Sequence, residues 1–319
     1  MRKFKRALIT GICGSGGSFL AEYILENHKK TEVYGFYRKL RKRNVQNIIK
    51  KSKLIKCDMN FFKKVYNKLK HIKPDVIFHI ASDADVRKSF DEPMKFINNN
   101  NNITLNLLEA VRLLNINPII QICSTSEVYG QVKKSEIPIS ENNRMRPASP
   151  YAVSKVFQDI CAQNYYKNFG LKIIITRMFT YLNPRRLNLF ASHWANQIVR
   201  IEQGKQKNLL HGNLNSTRTV IDIEDAMRSY WIAATKGKIG EIYNIGGNKT
   251  FKISEFLEIL KKKSKVKINS KIDKKLLRKT DVTLQIPNCN KFKKDTNWKP
   301  LISFEKSLEK FLKIFRENK

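Results

Sequence analysis

The side chains best suited to move protons and hydrogen together sit in two short runs of this chain. The first, Ser124-Thr125-Ser126-Glu127-Val128-Tyr129-Gly130, offers hydroxyls at Thr125 and Ser126 and a carboxylate at Glu127. It directly follows an apolar stretch, residues 118–123, that reads as a buried strand. The second, Pro150-Tyr151-Ala152-Val153-Ser154-Lys155, sets a phenol and an ammonium four residues apart, so on a helix Tyr151 and Lys155 share one face. A hydroxyl, a tyrosine and a lysine converging beside a dinucleotide make a site for hydride transfer. The added carboxylate points to a second, proton-moving step after the redox step.

Such a site needs a nucleotide beside it, and the start of the chain offers a cradle. Ala7-Leu8-Ile9 reads as a strand, Thr10-Gly11-Ile12-Cys13-Gly14-Ser15-Gly16-Gly17 as a loop with GxxGxxG spacing, and residues 18–27 as an amphipathic helix. Gly11, Gly14 and Gly17 allow a tight turn, approach of backbone to a pyrophosphate, and close helix–strand packing. Free N–H groups at the helix start then receive the negative charge. The next strand, residues 32–37, ends where an Asp or Glu would bond the ribose 2′-hydroxyl of NAD. Arg38 and Lys39 stand there instead, with Arg41, Lys42 and Arg43 behind, and two cations suit a 2′-phosphate. NADP is therefore the expected cofactor. Asp58, at the end of Leu54-Ile55-Lys56-Cys57, could meet an adenine amine, and Ala81, closing the strand 75–81, is a further expected cofactor contact.

These runs lie in a pattern of short apolar strands alternating with helices, the latter over 93–114 and 151–168, with a further strand over 172–176. That alternation predicts an α/β fold, a Rossmann-type doubly wound parallel sheet. Beyond Arg177 loop chemistry alternates with helices over 191–203, 224–235, 253–263 and 304–315, which reads as a smaller C-terminal substrate-binding lobe. The expected division is 1–178 for the NADP-binding domain, with 217–244 returning to it, and 179–216 plus 245–319 for the lobe.

Composition bounds the rest. With 41% hydrophobic residues the chain can build a sizeable core. No apolar stretch approaches the roughly 20 residues that span a bilayer, so no membrane partner is expected. Residues 1–20 superficially resemble a signal peptide, but glycines interrupt the apolar part, and a cytoplasmic location is expected. Five scattered cysteines without a CxxC read as reduced thiols, and five histidines show no ligand spacing, so no metal is expected. The formal charge of +35 raises the question of a nucleic-acid partner. The cations are spread along the whole length beside Ile- and Asn-rich stretches such as residues 98–102, which reads as compositional drift rather than a binding arm. Nucleic-acid binding is not expected, although a positive field would steer polyanionic ligands inward.

Taken together, TGxxGxxG, STSEVYG and PYxxSK resemble the extended short-chain dehydrogenase/reductases that act on nucleotide-sugars. More narrowly, STSEVYG, Asn183-Pro184-Arg185-Arg186, His211-Gly212-Asn213-Leu214 and Leu277-Arg278-Lys279-Thr280-Asp281-Val282 resemble GDP-mannose 4,6-dehydratases. Much of the same half, including Gly240-Glu241-Ile242-Tyr243-Asn244, is similar to GDP-4-keto-6-deoxy-mannose reductases. The resemblance implies that Thr125 and Tyr151 hold the sugar's 4-hydroxyl, with Tyr151 as base and Lys155 favouring its phenolate. It implies that Glu127 removes the carbon-5 proton once carbon 4 is a ketone, and that water loss and hydride return to carbon 6 leave the cycle redox-neutral. Ser126 either protonates the leaving group or caps a helix. Arg185, Arg218 and Arg278 would grip the GDP of a GDP-sugar, with Asn213 and Asp281 as further contacts, and the enzyme would be a homodimer or homotetramer with residues 38–43 near an interface. Thr180-Tyr181 replace the Asn-His of related dehydratases, and Ala84-Asp85 replace Ser-His; Asp85 could bond an extra hydroxyl, as on a GDP-heptose. Simple epimerases of this superfamily lack a carboxylate two residues after the catalytic hydroxyl, so the 4,6-dehydratase is the expected activity. The alternatives are the keto-sugar reductase and, in another class, a basic nucleic-acid-binding protein on a Rossmann scaffold.

Overall fold

The computed structural model describes residues 1–277 and 280–317. Among them seven strands run parallel in one sheet. Their order is Ile242–Ile245, β6 (Ile173–Met178), β5 (Ile119–Thr125), β4 (Val76–His79), β1 (Arg6–Thr10), β2 (Glu32–Tyr37) and β3 (Lys53–Lys56). The central strands are covered on both faces, which is why they read as near-continuous apolar runs. Successive side chains of β1 feed two cores, Ala7 and Ile9 on one face and Leu8 on the other. Helix α1 (Ser15–Asn27) and the helix Ile223–Lys236 pack together over the first face. Phe62–Ile72, Pro93–Leu113 and Pro150–Phe169 cover the second. Strand order reverses between β1 and β4, so the chain diverges there and leaves a crevice above their C-terminal ends.

β5 runs further than the stretch 118–123 suggested, because its pairing with β6 continues through Ser124↔Arg177 and Thr125↔Met178. Thr125 thus stands on the rim of the sheet. Beyond β6 the chain forms the lobe. There Thr217–Thr219 pairs with Thr250–Lys252 and with Leu284–Gln285, and Asn208–His211 pairs with Asn269–Ile272. Trp194, Phe251, Phe256 and Phe311 centre the lobe's core. On the helix Phe304–Glu317 the buried Leu308, Phe311, Leu312 and Phe315 recur at helical spacing and form one apolar stripe. The chain returns to the main sheet with Ile223–Lys236 and Ile242–Ile245, while Thr217–Thr219 stays in the lobe. Asn290–Thr296 packs back onto the returning helix and strand. No helix among the described residues is long and apolar enough to cross a membrane.

Candidate active site

The crevice begins at the glycine loop. Gly11 has φ +72°, and a Cβ there would lie 2.9 Å from Ala81 Cα. A Cβ on Gly17 would lie 2.5 Å from the Gly11 carbonyl oxygen, so any larger residue would push α1 off the strand. The first turn of α1 follows directly, with Gly14 as its cap, and its amide groups and dipole favour an anion at this end. A cleft of about 830 Å³ runs from this loop to Glu127. Its volume, its backbone cradle and its helix terminus fit a dinucleotide. Beneath the loop Thr10 Oγ1 accepts from Ile80 and Ala81 N–H, both at 3.1 Å, and pairs with His79 Nδ1 at 2.9 Å. His79 Nε2 meets Thr104 Oγ1 at 2.9 Å, and burial, with help from the Lys155 charge, pushes this imidazole down to about 3. A neutral histidine thus pins the loop from below.

At the other rim, Arg38 and Lys39 are exposed along the cleft with Asp58. Arg38 Nη1 donates to Asn99 Oδ1 at 3.1 Å, and its other terminal nitrogen lies 3.6 Å from Asp83. Asn60 Nδ2 bridges Asp58 Oδ1 and Asn99 Oδ1, both at 3.0 Å. The asparagine run 98–102 is therefore more than compositional drift. Asn99 holds this rim, and the buried Asn100 accepts from Asp83 N–H and donates to Ser154 Oγ at 2.9 Å.

The end of the cleft that holds Tyr151 and Glu127 is set by one helix and one strand end. Ser149 caps Pro150–Phe169 by accepting from Ala152 N–H, Pro150 suits the first turn, and Gly170 at φ +68° ends the helix. Tyr151 and Lys155 are both buried and both line the cleft. Lys155 Nζ donates to the Cys123 carbonyl; burial lowers its proton affinity, opposed by Cys123 and by Asp159 one turn on. Burial raises the Tyr151 phenol well above its ordinary value, and Arg186 is the charge that most opposes this, while Cys123 and Glu127 add to the rise. Arg186 is thus a cation acting on the Tyr151 phenol that the sequence reading did not include. Lys155 is turned to a strand carbonyl, and Arg186 reaches in from a loop, donating to Ala84 O.

Thr125 accepts from Glu127 N–H at 3.3 Å and caps the short 3₁₀ turn Ser126–Tyr129. The capping role considered for Ser126 belongs to Thr125, and Ser126 lies buried on the cleft wall. Glu127 Oε1 accepts from Gln285 Nε2 at 3.1 Å. Behind this turn, Asp159 takes Ser124 Oγ at 2.9 Å and a two-pronged contact from Arg177 at 2.9 and 3.0 Å. Arg177 Nη1 donates to Tyr129 OH at 2.9 Å, and Tyr129 OH donates to Asn244 Oδ1 at 2.7 Å. Tyr129, read from sequence as a packing residue, is also a link in this buried chain. Burial opposes the Arg177 charge, but the Asp159 contact more than compensates and holds the guanidinium protonated. Arg177→Met would leave Asp159 buried without its cation, and urea unfolding should show a loss of roughly 3–5 kcal/mol.

The expected substrate residues divide. Arg185 lines the cleft and donates to Ser18 Oγ at 2.9 Å and Glu22 Oε1 at 2.8 Å, with its guanidinium 3.9 Å from the Phe19 ring centre. Those partners belong to α1, so Arg185 sits against the glycine loop's helix. Arg218 also lines the cleft and donates to Gln285 Oε1 and Val282 O. Asn213 and Asp281 lie off the cleft wall and bond each other at 2.9 Å. Arg278 lies outside the described residues.

Comparison with known proteins now bears on this geometry. A family model described as GDP-mannose 4,6 dehydratase matches residues 8–311. The chain belongs to the GDP-mannose 4,6 dehydratase family. It is 30% identical to GDP-mannose 4,6 dehydratase 1 of Arabidopsis thaliana, over 95% of this chain and 87% of that one. It is 29% identical to GDP-6-deoxy-D-mannose reductase of Pseudomonas aeruginosa, over 75% of this chain and 79% of the other. A solved structure of RMD from Pseudomonas aeruginosa complexed with NADPH superposes with a TM-score of 0.85 at 25% identity, covering 99% of this chain and 100% of that one.

In this member of the GDP-mannose 4,6 dehydratase family, sequence reasoning missed Arg186 and Gln285 on the cleft wall, as it missed Asn60 and Asn99. Arg186 stood inside a quoted motif, so its position was available although its role was not. Gln285 had no signal, because it is 158 residues from the carboxylate it meets.

Proposed function

We propose that this protein is an NADP-dependent nucleotide-sugar 4,6-dehydratase that converts GDP-mannose to GDP-4-keto-6-deoxymannose. The observation that carries the reading is Glu127, a carboxylate on the cleft wall within the electrostatic reach of Tyr151 and two residues after Thr125. The glycine loop with Arg38 and Lys39 would hold a nicotinamide dinucleotide, which would supply a reversible hydride store between sugar carbons 4 and 6. Tyr151 accepts the proton of the 4-hydroxyl, which Thr125 orients. Arg186 opposes the burial that disfavours the phenolate, and Lys155, one helical turn away, is given the same part in this reading. The carbon-4 ketone then acidifies carbon 5, and Glu127 takes that proton and hands it to the departing 6-hydroxyl, which leaves as water. Carbon 6 regains hydride and carbon 5 a solvent proton, and Tyr151 releases the proton it took to solvent, so the sugar loses only water and no net oxidation remains. Arg218 suits the diphosphate because its planar fork bonds two oxygens at once. Asp85 lines the cleft while accepting from Lys88 N–H at 3.1 Å, and in this reading it faces the sugar. The +35 charge favours steering of both polyanions into the cleft. Val153 and Ile160, exposed at 43% and 54% on the helix Pro150–Phe169, are the apolar face proposed for a homodimer.

Incubation with GDP-mannose and only trace NADP tests the reading: a 4-keto-6-deoxy product lighter by one water is expected, and its absence would overturn the dehydratase. The similarity to the Pseudomonas reductase supports a second reading, in which the protein consumes NADPH stoichiometrically on the keto-sugar. Cofactor choice has its own test. Arg38→Asp should lower the preference for NADP over NAD by roughly 10- to 100-fold, the worth of a charge-assisted bond to phosphate, read as the ratio of the two dissociation constants.

A further inference from the structure

We infer that Gln285 is a positioning residue for the elimination step: its amide joins Glu127 to Arg218, so the lobe that grips the diphosphate also orients the carboxylate that takes the carbon-5 proton. The inference rests on the dehydratase reading.

Gln285 and Arg218 are register partners on neighbouring parallel strands, which puts their side chains next to each other on one face. Arg218 Nη1 donates to Gln285 Oε1 and its Nη2 donates to Val282 O at 2.8 Å. At the other end Gln285 Nε2 donates to Glu127 Oε1 at 3.1 Å. The amide can stand only one way round. A guanidinium has donors alone and an ionised carboxylate has acceptors alone, so a flipped amide would set donor against donor and acceptor against acceptor. Gln285 is 2% exposed and shares the cleft wall with both partners.

The backbone beneath Gln285 is held from both sides. Thr283 O accepts from Thr217 N–H in the lobe at 2.7 Å, while Thr283 N–H donates to Gln131 Oε1, just past the catalytic turn, at 2.7 Å. Ile286 O accepts from Ile139 N–H at 2.7 Å, and Asn288 N–H donates to Ile139 O at 2.7 Å. Gln285 is therefore fixed to the strand that carries Arg218 and to the loop that follows Glu127. A leucine of similar volume would fill the space yet offer Glu127 no donor.

The test compares the half-reactions of the full-length protein with GDP-mannose and NADP. Gln285→Leu should slow water loss about tenfold or more while changing KM for GDP-mannose less than about threefold. Carbon-4 oxidation should continue, so the absorbance of reduced nicotinamide builds up during turnover. Gln285→Glu retains an acceptor for Arg218 but sets a like charge against Glu127, and it should lose elimination at least as strongly. That variant decides the matter if the leucine protein does not fold. Adding Gln285→Leu to Glu127→Gln should cost nothing further, because both act on one group. A raised KM with elimination intact would assign Gln285 to substrate binding alone and overturn the inference. Additive losses in the double variant, or variants indistinguishable from an active wild type, would also overturn it. A wild-type protein that makes no dehydrated sugar would remove the proposed function and this inference together.

Discussion

Tyr151→Phe is expected to lower turnover of GDP-mannose by roughly 10²- to 10⁴-fold, the usual worth of a positioned acid–base group. The change removes one oxygen from a side chain that is 7% exposed, so packing is preserved and the thermal midpoint should stay near that of the unchanged protein. Carbon-4 oxidation and water loss should fail together, because the first hydrogen cannot leave until the 4-hydroxyl proton has somewhere to go. Burial alone would make Tyr151 a poor base, since it disfavours the phenolate. Arg186 counters part of that penalty, where a solvated tyrosine would need no such help. A phenylalanine variant that still reduces bound cofactor with GDP-mannose at the original rate would remove Tyr151 from the chemistry.

The second large effect separates the two half-reactions. Glu127→Gln keeps the shape of the side chain and removes its capacity to accept a proton. Elimination should fall by roughly 10²- to 10⁴-fold, while oxidation at carbon 4 survives. Mixing the variant with NADP and GDP-mannose should therefore give an absorbance rise from reduced nicotinamide that approaches one equivalent per active site and then persists. Mass spectrometry should find no loss of water over the same interval. Equal loss of both steps would contradict a separate role for this carboxylate.

Much of the scaffold was legible because local rules govern it. The glycine spacing needs only the loop itself, and the short apolar runs needed only to be buried on both faces to read as parallel strands. The Tyr151–Lys155 pair follows from helical periodicity, and a Ser149 cap with Pro150 behind it marks the helix start. Other features were illegible for a stated reason. Composition made Asn99 and Asn100 look like filler, yet Asn99 holds Arg38, and Asn100 ties the helix Pro150–Phe169 to the loop after β4. Asp159 and Arg177 look like an ordinary solvated charge on a helix and another on a strand until their burial is known. The partners of Arg185 could not be read either, because Ser18 and Glu22 lie more than 160 residues away in sequence.

The sequence by itself determined the kind of chemistry: a turn that admits only glycine, a hydroxyl and a carboxylate at a strand end, and a phenol one turn from an ammonium. These are short-range facts of backbone geometry and side-chain type, and they survive any arrangement of the rest. Only the tertiary structure decided which charges surround that chemistry. Arg186 beside Tyr151, Gln285 between Glu127 and Arg218, and Arg185 against α1 all depend on loops and strands of the distant lobe closing over the sheet. Electrostatic and hydrogen-bond partners act over a few ångströms, and nothing in linear order says which remote residue will arrive within that range.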